Sequence, residues 1–87
     1  MMKIFLHPRF VKESDKLPKR IRTKLAFLLE VLAQNPFNDL LHTKKLAGDA
    51  AGFLSFRVTR DWRVIFYFQG KDTIEVLKVA HRKDVYK

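Results

Sequence analysis

The sequence contains no cysteine, so neither a disulfide nor a thiolate metal site supports the fold. That pattern fits a reducing, cytoplasmic compartment. Its three glycines, Gly48, Gly52 and Gly70, make no phosphate-binding loop and no nucleophile elbow. The three prolines, Pro8, Pro18 and Pro36, stand singly at element boundaries, and there is no low-complexity tract, repeat or interdomain linker. No apolar run approaches the ~20 residues of a membrane span, and the opening MMKIFLHPRF has no signal-peptide core. His7, His42 and His81 lie far apart, without carboxylates at ligand spacing, so no metal or other cofactor is expected. Acidic residues are scarce: nine Asp and Glu stand against 18 Lys and Arg, a net charge of +9. Eighty-seven residues suffice for one domain with one core, spanning 1–87.

What is present begins with that charge. For so short a chain it favours a polyanionic partner over a merely soluble basic surface. A membrane-surface role is disfavoured, because no single helix is both strongly basic and strongly amphipathic. The most informative stretch is FLSFRVTRDWRVIFYFQ, Phe53–Gln69. Its period-two alternation predicts a hairpin. A three-residue loop, Thr59–Arg60–Asp61, opposes Val58 to Trp62, Phe56 to Val64 and Leu54 to Phe66, giving one clean apolar face. The same register sets Arg57 across from Arg63. Like charges in that position cost a few tenths to about 1 kcal/mol, which suggests that an anion belongs between them.

Around the hairpin, Lys3–Leu6 reads as a strand and Pro8–Lys16 as a helix, with Phe10, Val11 and Ser14 toward the core and Lys12, Glu13 and Lys16 in solvent. Pro18–Gln34 reads as a longer helix, because Ile21, Leu25, Leu28, Leu29 and Leu32 recur at helical spacing. Asn35-Pro36 ends it. Phe37–Ala51 is read as an irregular connection pinned by Leu40, Leu41 and Leu46. Thr73–Ala80, TIEVLKVA, is a further strand. Its expected register puts Leu77 and Val79 on the Trp62 face and Ile74, Val76, Lys78, Ala80 and Arg82 on the Arg63 face. The order β-αα-βββ predicts an α+β domain, a helical hairpin packed on one face of a small antiparallel sheet.

The face away from the helices is then expected to carry Arg57, Arg63, Lys78 and Arg82, with Ser55, Ile65 and Tyr67 among them. His81 falls at the strand end and Tyr86 follows. Guanidinium groups grip phosphate bidentately, and neighbouring rings stack bases. The bland alternatives are solvated sheet arginines (or one of them paired with Asp61), a strand-end histidine, and a tyrosine packing the C-terminus. His42, Lys44 and Lys45 have the alternative of a solvated loop.

Three segments, KKLAG, SFRVTRDWRVIFYF and VLKVAHRKDVY, resemble the RelE/ParE superfamily of bacterial and archaeal type II toxins. The ending H-R-x-x-V-Y resembles the RelE-like branch. The resemblance implies a toxin that cleaves mRNA on the ribosome without metal, neutralised by a cognate acidic antitoxin from an adjacent gene. It also implies catalytic roles for Arg57, Arg63, Arg82 and Tyr86. Beside these, His81 is read as a second proton carrier, and Lys44, Lys45, Lys78 and Ser55 as RNA contacts. The family carries two basic residues, two apart, on the strand of Arg57. Here Ser55 stands at one of those places, and Lys44 or Lys45 is the candidate substitute. The alternatives are a ParE-like inhibitor of DNA gyrase and a noncatalytic RNA-binding module.

Overall fold

The computed structural model describes residues 1–84. In chain order the elements are β1 (Lys3–Leu6), α1 (Pro8–Asp15), α2 (Lys19–Gln34), β2 (Lys44–Lys45), β3 (Leu54–Arg57), β4 (Trp62–Phe68) and β5 (Thr73–His81). The sheet order is β1-β5-β4-β3-β2. All neighbours are antiparallel except β1, which runs parallel to β5. The β-αα-βββ order expected from the sequence is therefore present, with β2 added at one edge.

Local chemistry sets the helix ends. Pro8 opens α1, where its missing N–H costs nothing, and His7 Nδ1 accepts the Arg9 N–H at 3.1 Å. Pro18 sits just before α2, its carbonyl accepting the Ile21 and Arg22 N–H groups, both at 3.0 Å. Asn35, held extended before Pro36, closes α2.

The core lies between α2 and the sheet. Leu25, Leu28 and Leu32 from the helix meet Phe56, Val64, Phe66, Ile74 and Val76 from the strands, joined by Phe10 and Leu41. The hairpin register is the one its alternation predicts: Leu54 opposes Phe66, Phe56 opposes Val64 and Arg57 opposes Arg63. The loop closes through the Val58 N–H donating to the Trp62 carbonyl at 2.9 Å.

Three expectations need correction. Leu40 does not pin the connection after α2; it is exposed, and Leu41 is the fully buried residue there. In β5, Val79 lies on the core face as expected, but Ile74 and Val76 join it there, fully buried, and Leu77 does not. A β-bulge is the cause. Ile65 opposes Lys78 while Phe66 opposes Val76, so Leu77 is the extra residue and the parity of the strand inverts across it. In α1, Val11 is exposed, whereas Glu13 turns inward. Its Oε1 accepts the Val79 N–H at 3.2 Å, an amide beyond the last β1–β5 pair at Val76. Helix α1 thus flanks the edge of β5 where β1 stops.

Candidate functional site

The sheet face turned away from the core carries its polar groups in rows fixed by strand register. One row reads Arg57, Arg63, Ala80 across β3, β4 and β5. The next reads Lys44, Ser55, Ile65, Lys78 across β2 to β5. Opposed residues share a face, and so do residues two apart on a strand. Lys44, Arg57, Arg63 and Lys78 therefore stand on one surface. Lys45 opposes Leu54 and belongs to the other face.

Among the described residues, none of those four cations has a carboxylate within ion-pair distance; the ion pairs are Arg9–Glu13 at 3.3 Å and Arg82–Asp61 at 3.8 Å. Arg57 is half-buried, and its Nε is buried with no hydrogen-bond partner among the described residues. An unsatisfied buried donor costs about 1–3 kcal/mol. Two opposed guanidinium groups add repulsion of up to about 1 kcal/mol. Both terms reverse sign when an oxyanion accepts from the pair. Ser55, deeply buried between Lys44 and Ile65, lines the floor beside them.

Arg82 follows β5 in a turn. Its N–H donates to the Asp61 carbonyl at 2.7 Å, and its Nε lies 3.8 Å from Asp61 Oδ1. The turn after β5 is thus tied to the β3–β4 loop, at the same end of the sheet as Arg57 and Arg63. An exposed ion pair of this kind contributes about 0–1 kcal/mol, so the guanidinium exchanges partners easily. His81 opposes Trp62 with the rings edge-on, centroids 5.5 Å apart, and so occupies the face opposite to Arg63. Its Nδ1 accepts the Lys83 N–H at 3.3 Å, which leaves Nε2 as the protonated nitrogen of the neutral ring. Tyr86 lies outside the described residues.

The sequence did not reveal the groove beside the cationic rows. It encloses about 720 Å³ between the Leu46–Phe53 loop, the start of α1 at His7 and Arg9, and Ile65, Leu77 and Lys78 of the sheet. The loop is closed by the Leu46 N–H donating to the Phe53 carbonyl at 3.0 Å. Past the groove, the Tyr67 hydroxyl donates to Glu75 Oε2 across the strands, and Phe53 packs edge-on against the Tyr67 ring at 5.8 Å. That hydrogen bond, with desolvation and the Glu75 charge, pushes the Tyr67 phenol above its ordinary pKa. Tyr67 is therefore unsuited to act as a base near neutrality.

Among the described residues, no three His, Cys, Asp or Glu side chains group to hold a metal ion. No described helix is long and apolar enough to cross a membrane.

Comparison with known proteins places this architecture. Residues 4–86 match the family model for the ParE toxin of the type II toxin-antitoxin system parDE. The RelB–RelE antitoxin–toxin complex of Methanococcus jannaschii is similar at 28% identity and a TM-score of 0.75, covering 94% of each chain. The archaeal RelE–RelB complex of Pyrococcus horikoshii OT3 is similar at 25% identity and a TM-score of 0.79, covering 97% of this chain and 98% of that one. A YoeB/ParE toxin from Agrobacterium tumefaciens shares the fold, with 24% identity, a TM-score of 0.81 and coverage of 93% and 99%. A search of curated proteins gave no match.

Proposed function

The chain belongs to the ParE toxin family of type II toxin–antitoxin systems, and from that premise we propose that it is a RelE-like toxin, an endoribonuclease that cleaves mRNA on the ribosome. The observation that carries this function is the opposed Arg57–Arg63 pair, free of carboxylates among the described residues, with the buried Arg57 Nε lacking an acceptor. A phosphodiester supplies that acceptor.

The chemistry is attack by the RNA's own 2′-hydroxyl. The O2′–P bond forms as a base takes the 2′-proton, the P–O5′ bond breaks as an acid protonates O5′, and the products are a 2′,3′-cyclic phosphate and a free 5′-hydroxyl. Negative charge grows on the non-bridging oxygens, where Arg57 and Arg63 donate; such donors act most strongly where charge develops. Arg82, released from Asp61, reaches the same phosphate or the leaving oxygen. Lys44 takes the place of the cation that the family carries where this chain has Ser55, and Lys78 holds the strand on the other side of that row. Tyr86 is assigned to removing the 2′-proton or stacking on the base. His81 is the second proton carrier and presents Nε2 around the strand end.

The resting partner is an acidic antitoxin encoded beside the toxin, which covers the arginine face and neutralises its charge. Co-purification of the two gene products at near-neutral net charge checks this.

The test of function is cleavage-site mapping on translating ribosomes. Cuts within the A-site codon, absent from the Arg63→Ala protein, are expected. The ParE name of the matched family favours a second function, inhibition of DNA gyrase. Trapped gyrase–DNA complexes without mRNA cuts would establish that one instead, and tight RNA binding without cleavage would identify a noncatalytic module.

A further inference from the structure

We propose that the groove beneath the Leu46–Phe53 loop is a nucleobase subsite. It takes the base of the nucleotide next to the phosphate held by Arg57 and Arg63, and Asp49 makes it select bases that bear an exocyclic amino group over uracil. This subsite rests on the ribonuclease function proposed above.

Position is the first ground. Ile65 and Lys78 stand on the same face as Arg63 and Ala80, one register step along the strands, about 6.8 Å away. One nucleotide of an unstacked strand spans such a step. A phosphate on the arginine row therefore delivers its neighbour to the groove.

Chemistry is the second. At about 720 Å³ the groove is of the size that encloses small ligands, roughly 300–1,000 Å³. Its walls are the flat or branched apolar groups of Leu46, Phe53, Ile65 and Leu77, suited to the faces of an aromatic ring. Lys78 bridges the groove and the cationic rows, so it meets the phosphate on the groove side.

Asp49 is the third. Among the described residues it is the one carboxylate lining the groove. Near a phosphate strand an anion is unfavourable unless it accepts hydrogen bonds from the ligand. An ionised carboxylate only accepts. Guanine, cytosine and adenine offer amino donors on their Watson–Crick edges. Uracil offers a single N–H flanked by two carbonyl oxygens, which the carboxylate repels. Single-stranded RNA is read at such edges.

The β5 bulge makes the site. Without the extra residue, Leu77 would fall in strand parity with Val79 on the core face. The inverted parity instead leaves Leu77 in the groove wall while Val76 stays in the core.

The test titrates the folded protein separately with GMP, CMP, AMP and UMP, followed by methyl NMR. The expected result is saturable shifts at Leu46, Ile65 and Leu77, with UMP about tenfold weaker than GMP or CMP, the size of discrimination that a good base-edge contact supplies. Asp49→Asn, at an exposed position that leaves the core intact, should bring the four nucleotides to within about twofold of one another. Equal affinities for all four in the unsubstituted protein, shifts confined to the arginine row, or no shifts at all would overturn the subsite. Because nothing is cleaved, the outcome is separate from ribosomal activity: groove shifts without mRNA cleavage would sink the ribonuclease function and leave the subsite standing. Cleavage without groove shifts would do the reverse.

Discussion

Replacing Arg57 with methionine should make the protein more stable and destroy its activity. Methionine keeps an unbranched stem of similar reach and removes the guanidinium. In the free protein that guanidinium carries two penalties. Its Nε is buried without an acceptor among the described residues, worth about 1–3 kcal/mol. It also faces Arg63 directly across the hairpin, worth a few tenths to about 1 kcal/mol. Against these stands the loss of some polar contact by the half-exposed tip, so a net gain of about 1 kcal/mol is expected. In a domain of this size that raises Tm by roughly 4–8 °C. Cleavage of ribosome-bound mRNA should fall by about 10²–10³, the usual consequence of losing one donor to a developing oxyanion. Added inorganic phosphate should raise Tm in the parent protein, by ligand linkage, and leave that of Arg57→Met nearly unchanged. Thermal unfolding and single-turnover cleavage, run on the same preparations, read both quantities. A variant that loses stability together with activity, or one that keeps full cleavage, would show that Arg57 is a structural residue and refute the argument.

The other expectations concern neighbouring groups. Arg63→Ala and Arg82→Ala should nearly abolish cleavage with the far-UV spectrum and Tm maintained, whereas Arg60→Ala on the loop should do much less; cleavage rates alongside melting curves decide it. Lys44→Ala, on the arginine face, should weaken RNA binding more than Lys45→Ala, which opposes Leu54 on the other face, and should reduce the salt slope of binding by roughly one phosphate contact; equal effects would deny the register argument. Tyr67 has a folded pKa above its unfolded value of about 10. Its hydrogen bond to Glu75 therefore stabilises the fold below that pH, and the contribution is lost as pH rises through the folded pKa. Tyr67→Phe should melt lower near neutrality and show a shallower alkaline decline, measured as Tm against pH.

How much of this was legible in the sequence depended on how strictly one face was apolar. The hairpin was readable to the residue because Leu54, Phe56, Val64 and Phe66 allow only one register with a clean face, and that register delivered the Arg57–Arg63 pair. TIEVLKVA gave no such constraint. It is apolar on both faces, and its bulge at Leu77 carries neither Gly nor Pro to announce it, so half of the strand was assigned to the wrong side. Lys44–Lys45 shows no strand periodicity at all; only pairing with β3 makes it a strand, and that pairing is what moves Lys44 onto the arginine face. The groove was invisible for a similar reason. Its loop is shaped by the Leu46–Phe53 hydrogen bond and its walls come from parts of the chain distant in sequence. Glu13 looked like a solvent-facing helix residue, and only the free amide of Val79 explains why it turns inward. Arg82, expected just past the strand and on the arginine face, follows β5 in the structure, and its pairing with Asp61 was not legible in the sequence.

The two faces of the hairpin divide labour in a way that links folding to chemistry. Phe56 and Phe66 are fully buried, with ring centroids 6.1 Å apart, and each contributes about 1.5–3 kcal/mol by leaving water. One such ring offsets the cost of a buried unsatisfied donor, and two exceed it. The alternation of the strand places Phe56 directly before Arg57 and Val64 directly after Arg63. The backbone that positions each guanidinium is therefore clamped from the opposite face by a side chain with no exposure. An isolated pair of arginines would splay apart into solvent. Held on this hairpin their backbones stay directly opposed, so the repulsion between the two charges is not relieved by the chain moving apart before an anion arrives. The backbone beneath Arg57 and Arg63 has nothing to reorganise at that moment, and the register that the core enforces on one side is the register that the phosphate meets on the other.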